Sequence, residues 1–406
     1  MTPGALPPLP SGEGWGEGLA GRSAPNQPSP GGRGLCSPVS RQLLQHDTPH
    51  SLAAKGERWP VVDGIPFLRT NRDDLVAETL QALDRGRPAE ATALLLGDQD
   101  DWARTPPASL RDRRALLREA DRISFREAMD RLAFGGVGTY FAHRWSDPTF
   151  LSGLALAEAH WRSPANVFEL ACGAGHYLRE FARAGAQAQG GDVVWAKLWL
   201  ARHYVAPGAG LICFDAARPW PLPDRAAGLV FCHDAFYFLP DKPHVASEMQ
   251  RVSVGPVLVG HAHNALVDNL SAGAPLSPAA YAALFDAPLL YDDAELTVAL
   301  REARAPRTMA ADALGRAAAV SLASCAGSPM SVAGGLAMPR RGTALRRNPL
   351  YIDGAVAWPS PRYEAEYGKL ATYPMQTDAS EAAVMGEQRT EEWARTRELL
   401  DLPRRW

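Results

Sequence analysis

A glycine turn that follows a short apolar run is the part of the sequence best suited to chemistry. Residues 167–170 read Val-Phe-Glu-Leu, residues 171–175 read Ala-Cys-Gly-Ala-Gly, and residues 176–184 form an amphipathic stretch. This order is typical of a buried parallel strand, a turn and a helix. Small residues let the backbone approach a ligand, and the free N–H groups at a helix N-terminus attract negative charge. We therefore predict a ligand site at this turn.

Carboxylates recur where the next two strands are predicted to end. Asp192 follows a predicted strand over residues 186–191, and Asp215 follows another over residues 211–214. Glu169 lies near the end of the first strand. Because the carboxyl ends of parallel strands meet at one edge of a sheet, we expect these acids to face the same ligand. An acid at the end of the second strand is placed to accept hydrogen bonds from both hydroxyls of a ribose.

The glycine spacing separates two kinds of nucleotide cofactor. The NAD fingerprint requires a third glycine three residues after Gly175, where this sequence has Leu178. The stretch instead resembles motif I of the class I S-adenosylmethionine-dependent methyltransferases, acidic-x-Gly-x-Gly-x-Gly. Glu169 stands at the acidic position and Ala171 replaces the first glycine, while Gly173 and Gly175 match the other two. Taken alone, the turn is also compatible with an ordinary strand–helix connection.

The resemblance extends over residues 165–264. Residues 220–224 read Trp-Pro-Leu-Pro-Asp ahead of a predicted fourth strand, as they do in this family. Residues 238–241, Phe-Leu-Pro-Asp, match the family's His-Leu-Pro-Asp stretch with Phe in place of His. Gly228 stands where the family often has an acid, which is a second departure after the missing first glycine. The order and spacing of these motifs together indicate the family more specifically than any single motif does.

The resemblance and the alternation of predicted strands and helices imply an α/β fold: a doubly wound, Rossmann-like seven-stranded sheet with a helical N-terminal cap and a C-terminal extension. We expect the sixth and seventh strands at residues 331–338 and 345–352. The predicted segments are a disordered Gly/Pro-rich leader (1–34), a hairpin segment (35–70), a helical cap (71–160), the Rossmann-like cofactor-binding core (161–264), a helical insertion or lid (265–330), and the closing strands with a C-terminal helix (331–406).

The resemblance implies S-adenosyl-L-methionine as the cofactor and assigns residues to it. The predicted cofactor-binding residues are Glu169, Ala171, Cys172, Gly173, Gly175, Asp192, Asp215, Ala216 and His233. The predicted residues for the methyl acceptor are Tyr140, His143, Arg144, Tyr237 and His261. His233 is also the first candidate for a general base, if the acceptor needs one, and His261 and His263 beyond the predicted fifth strand are the next candidates. Methyl transfer from a sulfonium does not require a metal, and we predict no metal site.

The segment ahead of the helical cap resembles the small zinc-ribbon modules that precede some methyltransferase domains. Residues 58–68 match the Tyr-Pro-Val-x-Asp-Gly-Ile-Pro end of that pattern, with Trp in the aromatic place. Structural zinc needs four Cys or His donors, but only Cys36 remains here, with His46 and His50 off-pattern. We therefore expect a metal-free hairpin around the Asp63-Gly64 turn.

Composition restricts the class of partner and the compartment. Hydrophobic residues make up 46% of the chain and charged residues 21%, which is typical of a globular protein. A net charge of −3 provides no general attraction for nucleic acid or an anionic membrane. The five scattered cysteines and the absence of an apolar run of membrane-spanning length favour a reducing cytoplasm. We predict neither a nucleic-acid nor a membrane partner.

The function predicted from the sequence is methyl transfer from S-adenosyl-L-methionine to a small-molecule acceptor. The Asn/Asp-Pro-Pro-Tyr signature of nucleic-acid amino methyltransferases is absent, since residues 232–235 read Cys-His-Asp-Ala. The main alternative is a non-catalytic binding or scaffold protein that keeps the fold, which would account for the departures at Ala171 and Gly228. A dehydrogenase is a weaker alternative, disfavoured by Leu178.

Overall fold

A computed structural model describes residues 34–100, 102–269 and 272–406. The leader predicted to be disordered, residues 1–34, lies outside these ranges except for Gly34. Within the described ranges, no helix combines the length and the apolar character that crossing a membrane would require.

The N-terminal segment folds as a four-stranded antiparallel sheet in sequence order. Its strands are β1 (Gln45–Thr48), β2 (Ser51–Ala54), β3 (Glu57–Val62) and β4 (Ile65–Pro66). Asp63 and Gly64 join the last two strands with φ values of 54° and 70°, the left-handed pair that a tight hairpin needs. The predicted hairpin is therefore confirmed. The Leu68 N–H donates to the Cys213 carbonyl at 2.8 Å, which anchors this sheet to the main one.

Short helices lead from this sheet to the core of the molecule. They are α1 (Asp73–Asp84), α2 (Pro88–Leu95), α3 (Leu110–Glu119), α4 (Phe125–Arg131), α5 (Gly135–His143) and α6 (Pro148–Ala159), with a 3-10 turn at Arg144–Ser146 between the last two. Ser124 and Glu127 form a capping box at the start of α4. The glycine-rich stretch at residues 135–138 forms the first turn of α5.

The main sheet has seven strands in the order β10-β11-β9-β8-β5-β6-β7. Its strands are β5 (Asn166–Leu170), β6 (Gln187–Asp192), β7 (Gly210–Cys213), β8 (Leu229–His233), β9 (Val257–His263), β10 (Leu289–Asp292) and β11 (Ala319–Ser324). β5 to β9 pair in parallel, and β11 is antiparallel to both of its neighbours. The strand order reverses between β5 and β8, which is where doubly wound sheets bind ligands. The predicted fold class is confirmed.

The helices of this part of the chain connect the strands or cover them. They are α7 (His176–Arg183), α8 (Trp195–Leu200), α9 (Lys242–Val252), α10 (Pro278–Ala282) and α11 (Asp293–Arg301), and a π-helical turn, Ala201–Val205, extends α8. Both faces of the sheet are buried. In β8, Leu229 and Phe231 pack in one apolar cluster while Val230 and Cys232 pack in the other. Such double burial explains why the parallel strands read as continuous apolar runs.

The predicted positions of the last two strands are wrong. Residues 331–338 form no strand, and residues 345–352 contribute only to small separate sheets. The sixth and seventh strands are β10 and β11, inside the segment predicted to be a helical lid. Residues 310–323 of that segment are alanine-rich, a composition that favours a helix, yet all six residues of β11 are buried between two partner strands. Strand pairing overrides helix propensity there.

The C-terminal part packs as small elements against the core. These are β12 (Ala344–Arg347), β13 (Tyr351–Ile352), β14 (Ala355–Val356), α12 (Pro361–Tyr367), β15 (Ala382–Val384), α13 (Gln388–Arg395) and β16 (Leu399–Leu400). The predicted C-terminal helix corresponds to the eight-residue α13, which has a short strand on either side. The chain then returns to the helical cap, where the Trp406 indole donates to the Ala142 carbonyl at 2.7 Å.

Candidate functional site

A cavity of about 1110 Å³ opens at the carboxyl ends of the parallel strands, at the reversal of strand order. Most of the residues predicted for the cofactor and the acceptor line it: Tyr140, Arg144, Glu169, Ala171, Cys172, Gly173, Asp192, Asp215, Ala216, His233 and Tyr237. Sites for small ligands typically enclose about 300–1,000 Å³, so this cavity has room for two small molecules.

The turn between β5 and α7 has an unusual backbone. Ala171, Gly173 and Gly175 have φ values of 54°, 53° and 83°. A glycine adopts this left-handed conformation freely, whereas another L-residue does so at a cost of about 1–2 kcal/mol. The alanine in place of the first motif glycine is therefore a strained substitution, although its side chain is small. A Cβ on Gly173 would lie 3.1 Å from the Phe141 ring, so the turn also packs closely against α5.

Asp192 ties the end of β6 to this turn. Its two carboxylate oxygens accept from the N–H groups of Gly173, at 3.0 Å, and Val194, at 2.9 Å. The Lys197 ammonium lies 3.6 Å away. A carboxylate oxygen has more than one acceptor position, so these bonds leave capacity for a ligand's hydroxyls.

Glu169 is buried and only partly satisfied. Its side chain lines the cavity, and its Oε2 has no hydrogen-bond partner among the described residues. Burial raises the pKa of Glu169 well above its usual range, partly offset by Arg144. A positively charged ligand group would remove this penalty, because it would favour the ionised carboxylate.

Asp215 and Ala216 follow β7 at the far side of the cavity. The Asp215 carboxylate accepts from the Ala217 N–H at 2.9 Å, and the side chain is half-buried. We refer to residues 169–175 with Asp192 and Asp215 as the glycine-turn region. The structure brings its three acids to one edge of the sheet, around one cavity.

A second set of polar side chains occupies the other end of the cavity, and we call Tyr140, Arg144, Asp147, His233 and Asp234 the Arg144 cluster. The Arg144 guanidinium is 4% exposed and donates to Asp147 at 2.9 Å and to Nδ1 of His233 at 3.1 Å. It also lies 3.9 Å from the Asp234 carboxylate and 5.1 Å from the centre of the Tyr140 ring. A buried cation is thus shared between two carboxylates.

His233 does not have the environment of a general base. Burial and the adjacent Arg144 lower the pKa of His233 to about 3. Because Nδ1 accepts from the guanidinium, the proton of the neutral ring lies on Nε2, which has no partner among the described residues. A Cβ on Gly260 would approach the ring within 2.3 Å, so the imidazole fits in the space that this glycine leaves. The structure does not support proton abstraction by His233.

Asp234, which follows β8 directly, was not predicted as a site residue. Its φ is 53°, and its two oxygens accept from the hydroxyls of Tyr140 and Tyr237, each at 2.9 Å. Burial acts to raise the pKa of Asp234, but His261 and Arg144 lower it more. In the sequence, this residue stands out only as an acid after the predicted fourth strand. The sequence comparison used that stretch solely to show that the Asn/Asp-Pro-Pro-Tyr signature is absent.

The remaining three predicted site residues, Gly175, His143 and His261, do not line the cavity within the described part of the chain. Gly175 precedes α7, where a Cβ would lie 3.0 Å from the Ala201 side chain, so its role is packing. His143 is buried and bonds to the Thr139 carbonyl through Nδ1 at 2.9 Å. His261 bonds to Asp293 through Nδ1 at 2.7 Å. Burial acts to lower the pKa of His261, but Asp293 raises it to about 9.

Sequence reasoning missed most of the aromatic wall of the cavity. Trp102, Phe134, Phe141, Phe238, Tyr363 and Tyr367 line it. The last two come from α12, about two hundred residues from the glycine turn in the chain. No local pattern in an isolated sequence links such segments.

Comparison with known proteins agrees with this geometry. Residues 168–254 match the family model described as a methyltransferase domain. This span begins in β5 and contains the glycine turn, both strand-end aspartates, His233 and Asp234. No curated protein sequence matches the chain.

Solved structures of several methyltransferases are similar to parts of the chain. Phosphoethanolamine N-methyltransferase 2 of Haemonchus contortus, in complex with S-adenosyl-L-methionine, is 22% identical over 36% of this chain and 38% of that one, with a TM-score of 0.28. The alignment therefore spans well under two thirds of that relative. A S-adenosylmethionine-dependent methyltransferase of Thermotoga maritima is 15% identical over 49% and 98% of the two chains, with a TM-score of 0.35. A chain from the complex of the Haloferax volcanii Trm112 methyltransferase activator with a methyltransferase is 16% identical over 52% and 99%, with a TM-score of 0.35.

Proposed function

We propose that this chain transfers a methyl group from S-adenosyl-L-methionine to a small-molecule acceptor, since residues 168–254 match the model of a methyltransferase domain. The observation that carries this proposal is the single cavity that the glycine turn shares with the acids of three neighbouring strands. When bound, the cofactor supplies a methyl group on a sulfonium sulfur.

The residues at the glycine-turn region suit this cofactor. Asp192 would accept from the ribose hydroxyls with the acceptor positions that its backbone bonds leave free. Glu169 would accept from the ammonium of the methionine moiety, since its Oε2 is buried without a partner among the described residues. Asp215 and Ala216 would lie at the adenine. The left-handed turn keeps the backbone between these acids within reach of the ligand.

The acceptor would occupy the end of the cavity that the Arg144 cluster and the aromatic wall enclose. The protein's contribution there is to orient the acceptor and to exclude water, which is the main requirement of an in-line displacement. A concave cavity with aromatic walls suits a small molecule better than a nucleic-acid strand, and the net charge of −3 points the same way. Tyr140 and Tyr237 would contact the acceptor, held in place by their bonds to Asp234.

The cofactor assignment is tested by calorimetric titration of the full chain with S-adenosyl-L-methionine and, separately, with S-adenosylhomocysteine. We expect binding by the wild type and at least about tenfold weaker binding by Asp192→Ala, because hydrogen bonds to a charged group contribute about 1.5–3 kcal/mol each. Asp74→Ala, at an exposed position of α1, is the matched control and should bind like the wild type.

Loss of binding in Asp192→Ala must be separated from loss of folding, because this carboxylate also holds the turn. Glu169→Gln keeps the shape of the side chain and breaks no bond of Oε2, so this variant should fold. We nevertheless expect it to bind the cofactor more weakly than the wild type does. If the folded wild type bound neither ligand, the proposal would fail and the non-catalytic binding protein would be favoured. Unchanged binding by both variants would contradict the assignment of Asp192 and Glu169 to the cofactor.

A further inference from the structure

Three side chains near the acceptor end of the cavity have a metal-ligand composition that no predicted motif includes. One donor atom each of Asp234, His261 and His263 can be chosen so that all three lie within 4.8 Å of one another. Asp234 lines the cavity, and the side chains of Asp234 and His261 are 11% and 13% exposed. His261 and His263 are two residues apart on β9, and their ring centres lie 5.2 Å apart.

The two imidazoles are oriented by other residues. Nδ1 of His261 lies 2.7 Å from the Asp293 carboxylate, which can only accept, so this nitrogen carries the proton. Nδ1 of His263 lies 3.2 Å from Oδ1 of Asn269 and donates in the same way. The ligating atom of each ring would therefore be Nε2. Because Asp293 raises the pKa of His261 to about 9, a metal ion would displace the Nε2 proton of that ring. A carboxylate or carbonyl bonded to the far nitrogen is the usual support of a metal-ligating histidine.

The carboxylate of this set is held as firmly as the rings. Asp234 accepts one hydroxyl on each oxygen, from Tyr140 and Tyr237, and further acceptor positions remain. The Tyr237 ring also stacks on His263, with ring centres 4.2 Å apart. The three donors thus belong to one packed unit rather than to flexible surface side chains.

Backbone strain is concentrated at two of the three residues. Asp234 and His261 have φ values of 53° and 49°. At His261 the pairing of β9 with β11 shifts register, and the His261 N–H bonds to the hydroxyl of Ser321 at 3.0 Å. Bulges and left-handed residues of this kind are enriched at functional sites, where they direct a side chain.

The local charge balance favours a cation. Asp147, Asp234 and Asp293 are buried or nearly so, and Arg144 is the full cation in contact with the first two. Even with His261 protonated, as its raised pKa implies, the three carboxylates outnumber the two cations, and buried charge is costly unless it is paired. A divalent ion that displaced the His261 proton would, together with Arg144, balance the three carboxylates.

From this geometry we propose that Asp234, His261 and His263 bind a divalent first-row transition metal ion beside the acceptor end of the cavity. Two histidines and one carboxylate leave coordination positions open, as in sites that bind both metal and substrate. Donors on one ion at about 2.0–2.2 Å lie no more than about 4.4 Å apart, so a set within 4.8 Å needs only a small contraction. The occupant of the open positions would be an oxygen or nitrogen donor of the acceptor, a role that rests on the proposed function.

The test uses the full chain freed of metal with EDTA. Cobalt(II) is titrated while its visible d–d absorption is followed, and zinc(II) is titrated calorimetrically. We expect one equivalent of either ion to bind to the wild type. His263→Gln should abolish this stoichiometric binding. Asn269→Ala, which removes only the support of the His263 ring, should weaken it about 10–100-fold.

His50→Ala is the matched control, because this exposed histidine lies in the N-terminal sheet region, outside the cluster. It should bind cobalt like the wild type. Asn269 is exposed, so its variant is expected to fold even if His263→Gln does not. Failure of the wild type to bind one equivalent, wild-type binding by Asn269→Ala, or loss of binding in His50→Ala would each overturn the proposal.

Titration of the same metal-free samples with S-adenosyl-L-methionine separates this inference from the proposed function. Cofactor binding without metal binding would refute the metal site alone. Metal binding without cofactor binding would leave the ion site standing and remove the role in acceptor binding.

Discussion

The glycine-turn region and the Arg144 cluster lie at the two ends of one cavity, and they are built in opposite ways. In the first, the acids come from consecutive strands within residues 169–215, and Asp192 is satisfied by backbone N–H groups. In the second, the charged groups come from the short segment between α5 and α6 and from the residue that follows β8, and they are satisfied by one another. One end is local in sequence, and the other depends on distant segments.

This difference indicates where each end is vulnerable. The backbone donors of the glycine-turn region are fixed by the strand and the turn. A side-chain substitution in this region should therefore change ligand affinity more than it changes stability. A network of side-chain charges has no such support, because removing one member leaves the others buried without compensation. We therefore expect mutations in the Arg144 cluster to act mainly on stability and mutations in the glycine-turn region mainly on cofactor affinity.

The largest effect is expected for Arg144→Met. This change leaves Asp147 and Asp234 without their shared cation, and unpaired buried charges of this kind typically cost about 3–5 kcal/mol. Urea unfolding should show the loss in the free energy of unfolding. The control Arg118→Ala, at an exposed position of α3, should stay within about 0.5 kcal/mol of the wild type. An Arg144→Met protein as stable as this control would contradict the distinction between the two ends.

An intermediate effect is expected on the pH dependence of stability, through His176 at the start of α7. Burial lowers the pKa of His176 to about 3, against about 6.5 in an unfolded chain. The unfolded state then binds more protons, so the free energy of unfolding is full above pH 6.5 and falls as the pH decreases from there towards 3. His176→Gln should make the slope between pH 6 and 4 shallower by about 1.4 kcal/mol per pH unit.

Unfolding curves at several pH values measure this slope. His50→Ala is the control and should keep the wild-type slope, because this side chain is exposed before and after unfolding. The same slope in His176→Gln and in the wild type would show that His176 is not held neutral by burial.

The smallest effect is expected for Ala171→Gly. Glycine relieves the left-handed strain at a φ of 54° but has more freedom to lose on folding, so we expect a gain in stability of at most about 1 kcal/mol. Ala77→Gly in α1 is the matched control, and the same change there should cost about 0.5–1 kcal/mol. If both substitutions destabilised the protein equally, the turn would not be strained at Ala171.

Much of the fold and of the glycine-turn region could be predicted from the sequence. The strand, turn and helix around Gly173, and the acids after the next two strands, follow from short-range patterns of residue type, and the structure places them around one cavity. The strained backbone of Ala171 could not be read in this way, because a φ value depends on how the turn is held between β5 and α7.

The acceptor end could be predicted only in part. Tyr140, Arg144 and Tyr237 were singled out and do line the cavity, but His143 and His261 do not, and Asp234 and the aromatic residues of α12 were missed. The neutral state of His233 could not be foreseen either, since it depends on burial and on Arg144, which is 89 residues away in the chain.

The sequence by itself determined the alternation of strands and helices, the glycine turn and the acids that follow β6 and β7, because apolar periodicity and turn residues act over a few positions. Only the tertiary structure decided that β10 and β11 complete the sheet and that His261, His263 and Asp234 meet. Those outcomes depend on pairing and packing between segments far apart in the chain, and the energies of such contacts leave no short-range pattern in one sequence.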